Sequence, residues 1–190
     1  MAAVQAVPRF KLVGFAGPSN VGKTTLITGV LAALKARGLR VSVLKHAHKR
    51  FDVDTPGKDS WRHREAGAFE VLLASQKRLA LLREYETEAE PSVHQLLAEL
   101  SPCDWVLVEG FKHADLPKIE VRRAAAPQQL APLYTDDPFV VALATDSPPP
   151  VPTSLPLLSI DDPGAVAQWL VESGDRFDYR PEHHLPDETA

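Results

Sequence analysis

The chain has 190 residues, enough for one domain whose core needs no disulfide or metal staple, and 44% hydrophobic with 24% charged residues is a globular rather than a disordered balance. A net charge of -4 gives no electrostatic footprint for nucleic acid, and the single cysteine, Cys103, excludes an internal disulfide framework and fits a reducing compartment. No apolar run reaches the ~18 residues that span a bilayer, and Met1 to Phe10 lacks a secretory-type apolar core, so the expected location is the cytoplasm, with no membrane partner.

Phe10 to Ala16 (FKLVGFA) is a short apolar run before a glycine and is predicted to be a buried strand. Val21 to Arg37 is predicted to be a helix, because Leu26, Val30 and Leu34 recur every four residues beside Ile27 and Leu31. Lys35 and Arg37 suit its last turn, and Gly38 can take the left-handed cap. Leu39 to Lys45 is a second strand, so the three elements form a βαβ unit with parallel pairing. His46 to Lys58 is a polar loop, and Asp59 to Gly67 a short helix. Phe69 to Ser75 and Arg78 to Tyr85 flank Gln76-Lys77 as an antiparallel hairpin at the sheet edge. A helix over Ser92 to Leu100 and buried strands over Asp104 to Val108, Lys118 to Arg122 and Phe139 to Ala144 follow. Pro163 to Ser173 reads as a last helix, with proline in its first turn.

Alternating strands and helices predict an α/β fold of the P-loop NTPase kind, a mostly parallel sheet with helices on both faces. Residues 1–174 read as one nucleotide-binding domain, and the polar 175–190 as a disordered tail. In such sheets ligands bind beyond the carboxyl ends of the strands, and Gly17, Lys45, Glu109 and Asp146 each follow such an end.

Gly17-Pro18-Ser19-Asn20-Val21-Gly22-Lys23-Thr24 matches the G-x-x-x-x-G-K-[ST] pattern in full, between a predicted strand and a predicted helix. The glycines let the backbone amides of Ser19, Asn20, Val21, Gly22 and Thr25 turn toward phosphate oxygens, and the helix N-terminus adds positive potential. Lys23 would contact the outer phosphates, and Thr24 would ligate Mg²⁺.

Glu109 ends an apolar strand at this edge, where a carboxylate can hold Mg²⁺, directly or through water, or polarise an attacking water. Asp54 or Asp59, in or after the loop that follows strand two, is a candidate second acid, although Asp59 equally suits a helix cap. Lys45 either adds positive charge to the phosphates or is a surface lysine. His46 and His48 form a His-x-His pair that either binds a metal or, with Lys49 and Arg50, meets an anionic partner. Asp146 either accepts hydrogen bonds from guanine N1 and N2, favouring GTP, or belongs to the turn before Ser147-Pro148.

GFAGPSNVGKTTL (Gly14 to Leu26), VLKHAHKRFDVDTPGKDSWRHREAGA (Val43 to Ala68), WVLVEGFK (Trp105 to Lys112) and PKIEVRR (Pro117 to Arg123) together resemble the molybdopterin-guanine dinucleotide biosynthesis adapter family. The resemblance covers about residues 10–145. It implies a GTP-binding homodimer with weak GTPase activity, assisting the guanylyltransferase that attaches GMP to molybdopterin. It implies that Lys23 and Thr24 hold phosphate and Mg²⁺, flanked by Glu109 with Asp54 or Asp59. Two other readings stand beside it. One is an ATP-dependent ligase resembling dethiobiotin synthetase, which shares the lysine after strand two and the Val108-Glu109-Gly110 strand end. The other is a metallochaperone GTPase, against which one cysteine and a short histidine pair argue.

Overall fold

The structure, a computed structural model, describes residues 10–47, 51–87, 90–125 and 131–180. It divides into two compact units, one of Met1–His46 with Ser92–Ala190 and one of Ala47–Pro91, where one domain over 1–174 is expected from the sequence.

The first unit is built on β1 (Lys11–Ala16), α1 (Lys23–Ala36) and β2 (Val41–Lys45). Its sheet has six strands, all paired in parallel, in the order β2-β5-β1-β6-β7-β8. β5 is Trp105–Glu109, β6 is Lys118–Val121, β7 is Val140–Thr145 and β8 is Leu157–Ser159. β1 and β2 are therefore not neighbours. The apolar β5 is inserted between them and pairs with both, which corrects the expected direct pairing.

Strand alternation sorts the side chains onto two faces. Val13 and Phe15 of β1, Leu107 of β5, Ile119 and Val121 of β6 and Ala142 and Ala144 of β7 pack with Leu26, Ile27, Val30 and Leu34 of α1. The same cluster takes in Val166, Ala167 and Leu170 of α4 (Pro163–Glu172). Leu12, Val106 and Val108 point the other way and pack with Val93 and Leu97 of α3 (Val93–Ala98). Each fully buried aliphatic side chain contributes about 1.5–3 kcal/mol, so these clusters anchor the strand ends.

The chain end is a second correction. The polar run after residue 174 conceals Phe177 and Tyr179, both buried. Gly174–Phe177 forms a 3-10 turn, Lys11 donates to the Gly174 carbonyl and pairs with Asp178 at 2.6 Å, and Tyr179 stacks on Phe10. Residues 175–180 thus close over β1, and the rest of the expected tail lies outside the described residues.

The second unit holds α2 (Asp59–Glu65) and an antiparallel pair, β3 (Glu70–Ala74) with β4 (Leu79–Arg83). The expected hairpin is present, but as a separate two-stranded sheet with no ladder to the six strands. None of the α2 side chains is buried.

Candidate functional site

Because every strand of the large sheet runs the same way, the carboxyl ends of β1, β2, β5, β6 and β7 share one edge. The side-chain alternation decides what reaches the α1 face there. Glu109 has the parity of Leu107, Lys45 that of Val41, Arg123 that of Val121 and Asp146 that of Ala144. All four therefore project toward the helix that starts with the phosphate loop.

Gly17 lies so close to the carbonyl of Val121 that no side chain fits. Asn20 (φ 64°) and Gly22 (φ 97°) take left-handed conformations, which curl successive amides toward a common centre. Gly22 is the N-cap of α1, and no side chain caps this helix. The other long helix differs, since the Asp162 carboxylate accepts from the Ala165 amide at the start of α4. A glycine cap leaves the first-turn amides of α1, including that of Thr25, for an external anion. Ser19 and Asn20 are exposed, whereas the Val21 side chain is buried in the core, so Val21 has only its backbone to offer a ligand.

Lys23 folds back on the loop and donates to the carbonyls of Gly17 at 2.9 Å and Pro18 at 2.6 Å. Burial pulls its ammonium below the ordinary lysine value; the Glu109 carboxylate opposes that shift and the Lys45 charge adds to it. The Thr24 hydroxyl donates to Glu109 Oε1 at 2.6 Å, and Lys45 pairs with Glu109 Oε2 at 3.3 Å. The Glu109 side chain is 12% exposed and that of Lys45 57%, so the carboxylate is enclosed while the ammonium faces solvent. The residues suit the groups expected here. A threonine hydroxyl and a carboxylate are the hard oxygen donors that Mg²⁺ takes, and the curled amides with Lys23 suit a polyphosphate. Next to them, the His46 amide donates to the Glu109 carbonyl and the His46 ring stacks on Phe111 with centroids 4.5 Å apart. His48, Lys49 and Arg50 lie outside the described residues.

Asp54 has local partners in the second unit. Its Oδ1 accepts from the Thr55 amide and the Ser60 hydroxyl, and its Oδ2 from Arg64 at 3.2 Å. Burial opposes ionisation, but these hydrogen bonds outweigh it and hold the carboxyl below the ordinary aspartate value. Arg64 also reaches Asp52 and Glu84, and these partners raise its already high pKa. Asp59 opens α2 at its first residue, where an acid favours the helix dipole. On the same carboxyl edge, just past β7, Asp146 Oδ1 accepts from the Ala124 amide at 2.7 Å, and its Oδ2 lies 3.5 Å from Arg123. Arg123 is the site-edge residue that sequence reasoning missed. The alternation Ile119, Val121, Arg123 in KIEVRR is the signal that could have found it.

A family model described as molybdopterin guanine dinucleotide synthesis protein B matches residues 12–146. The molybdopterin-guanine dinucleotide biosynthesis adapter protein of Escherichia coli (strain K12) is 41% identical over 163 residues, covering 85% of this chain and 91% of the relative. The protein of the same name from Haemophilus influenzae is 42% identical over 139 residues, covering 72% of this chain and 75% of the relative. The crystal structure of Bacillus subtilis MobB superposes with a TM-score of 0.64 at 26% identity, over 86% of this chain and 97% of that one. With the phosphate loop between β1 and α1, these matches make the fold that of a P-loop NTPase, and the chain belongs to the molybdopterin guanine dinucleotide synthesis protein B family.

Proposed function

We propose that this chain is a GTP-binding adapter with slow GTPase activity, which assists the guanylyltransferase step of molybdopterin guanine dinucleotide synthesis in the cytoplasm. The observation that carries the reading is the Thr24 hydroxyl 2.6 Å from Glu109, at the start of a helix capped only by glycine. Thr24 and Glu109 would hold Mg²⁺, and Lys23 would turn from the loop carbonyls to the phosphates. Bound Mg²⁺ would offset charge on the phosphate oxygens. Lys45, 3.3 Å from Glu109 Oε2, would help to orient the carboxylate. Asp146 would accept from guanine N1–H and N2–H.

Turnover is expected to be slow. An arginine finger accelerates GTP hydrolysis by about 10³–10⁵, and Arg64 is not free to serve as one, being held by Asp52, Asp54 and Glu84. The names of the relatives favour the adapter over the ligase and metallochaperone readings. Molybdopterin and the guanylyltransferase would be its partners, and a second copy of the chain would cover the apolar side chains of the hairpin. Leu72, Leu79 and Phe69 are more than half exposed, and an isolated two-stranded sheet is marginal in water.

The test is calorimetry of GTP with Mg²⁺, followed by capture of partners on the full chain with and without GTP. Lys23→Ala should weaken GTP by about tenfold or more while the fold is kept. Wild type should retain a nucleotidyltransferase. Unchanged GTP binding in Lys23→Ala would refute the phosphate role.

A further inference from the structure

The carboxyl edge carries two charged groupings on opposite sides of β1. Thr24, Glu109 and Lys45 lie toward β5 and β2. On the other side, beyond β6, β7 and β8, stand Arg123, Asp146 and Asp161. Arg123 Nη2 bonds Asp161 Oδ1 at 2.9 Å, and Nη1 faces Asp146 Oδ2 at 3.5 Å. The guanidinium also borders the phosphate loop, since a methyl group built on Gly22 would lie 3.7 Å from Arg123 Nη2.

A nucleotide has its metal-bound phosphates at one end and its nucleoside at the other. Glu109 lies on the β5 side of β1, so a nucleotide laid across the loop with its metal end there would carry its nucleoside toward β6 and β7, where this triad stands. One guanidinium stands between two carboxylates, so acidic groups outnumber basic ones in this patch. Such a patch repels phosphate and attracts N–H donors. Guanine presents two such donors, at N1 and N2, on the edge where adenine presents an acceptor at N1.

Resting on the proposed GTP site, we infer that Arg123 is a positioning residue for base selection, clamped by Asp161 so that it sets the carboxylate of Asp146 for guanine. The Ala124 amide fixes Asp146 Oδ1 from one side and Arg123 approaches Oδ2 from the other, so the carboxylate plane is defined before the base arrives. A planar guanidinium suits this better than an ammonium, because its fork can meet both acids at once. The Asp146 side chain is 23% exposed and that of Arg123 35%, which leaves both open to a ligand without being loose on the surface.

The test is calorimetric titration of the full chain with GTP, ATP and inorganic tripolyphosphate, each with Mg²⁺. Arg123→Ala should cut the GTP-over-ATP preference by about tenfold and leave tripolyphosphate affinity unchanged. Asp161 is 64% exposed, so Asp161→Asn keeps the fold where Arg123→Ala loosens it, and should shift the preference in the same direction. Equal losses for GTP and tripolyphosphate would make Arg123 a phosphate or loop-support group and overturn the inference, as would an unchanged preference in both variants. Asp146→Asn should favour xanthosine triphosphate over GTP, because an amide can donate to the xanthine O2. If that switch appears while Arg123→Ala keeps the GTP preference, Asp146 reads the base and the role of Arg123 fails alone. If neither GTP nor tripolyphosphate binds wild type, the phosphate-loop reading fails instead.

Discussion

The two units are held by different forces. In the first, side chains such as Phe15, Leu107 and Val30 are fully buried between a parallel sheet and its helices. In the second, α2 buries nothing, β3 is exposed except at the half-buried Val71, β4 alternates between exposed and half-buried residues, and the best-connected side chain is a charged one. Arg64 there binds Asp52, Asp54 and Glu84, which belong to the loop before α2 and the end of the hairpin. The contrast teaches that the loop between β1 and α1 is framed by buried apolar packing, which the described residues of the second unit do not have. The second is ordered by charge and leaves Phe69, Leu72 and Leu79 more than half exposed.

The contrast breaks most visibly in the core. Phe15→Ala should destabilise the chain by about 3–5 kcal/mol in a urea melt. A loss under about 1 kcal/mol would mean that the sheet is not the layer that holds the unit together. Next in size is the response to acid. Asp52 is held below the ordinary value of 3.8 by the Asp54 amide and Arg64, and Asp54 is held below it by hydrogen bonds that outweigh burial. A carboxylate whose folded pKa is lowered stabilises above its unfolded value and loses that contribution as pH falls through the folded one. Amide-exchange protection in residues 51–87 should therefore fall as pH drops below about 3.8, before that of the large sheet. Arg64→Ala should lower the same protection already at neutral pH, and protection equal to wild type would contradict the role of the cluster. The smallest effect is on the hairpin surface. Leu79→Ser should change unfolding by no more than about 0.5 kcal/mol in dilute protein. It should nevertheless weaken self-association in sedimentation, and an unaltered association would show that a second copy does not cover this face.

The loop between β1 and α1 was legible because its pattern lies in contiguous residues, so spacing alone puts Lys23 and Thr24 at the start of α1. The place of Glu109 was legible because an apolar run that stops at an acid puts a carboxylate at the carboxyl edge of the sheet, where Thr24 meets it. The strand order was not, because parallel partners are chosen by non-local packing, and β5 displaces β2 from β1 across about sixty residues of chain. Phe177 and Tyr179 were hidden by their polar neighbours, although their burial pins the segment to β1. The partners of Asp54 were hidden for a related reason: Arg64, ten residues on, comes back to it only when α2 forms. Arg123 went unread because its acids, Asp146 and Asp161, lie 23 and 38 residues away.

The central claim is that Thr24 and Glu109 form the metal side of a nucleotide site. GTP affinity measured by calorimetry with and without Mg²⁺, in wild type and in Glu109→Gln, tests it most directly. We expect Mg²⁺ to strengthen GTP binding to wild type, and this gain to vanish in Glu109→Gln while the metal-free affinity stays the same. A full Mg²⁺ gain in Glu109→Gln would contradict the assignment.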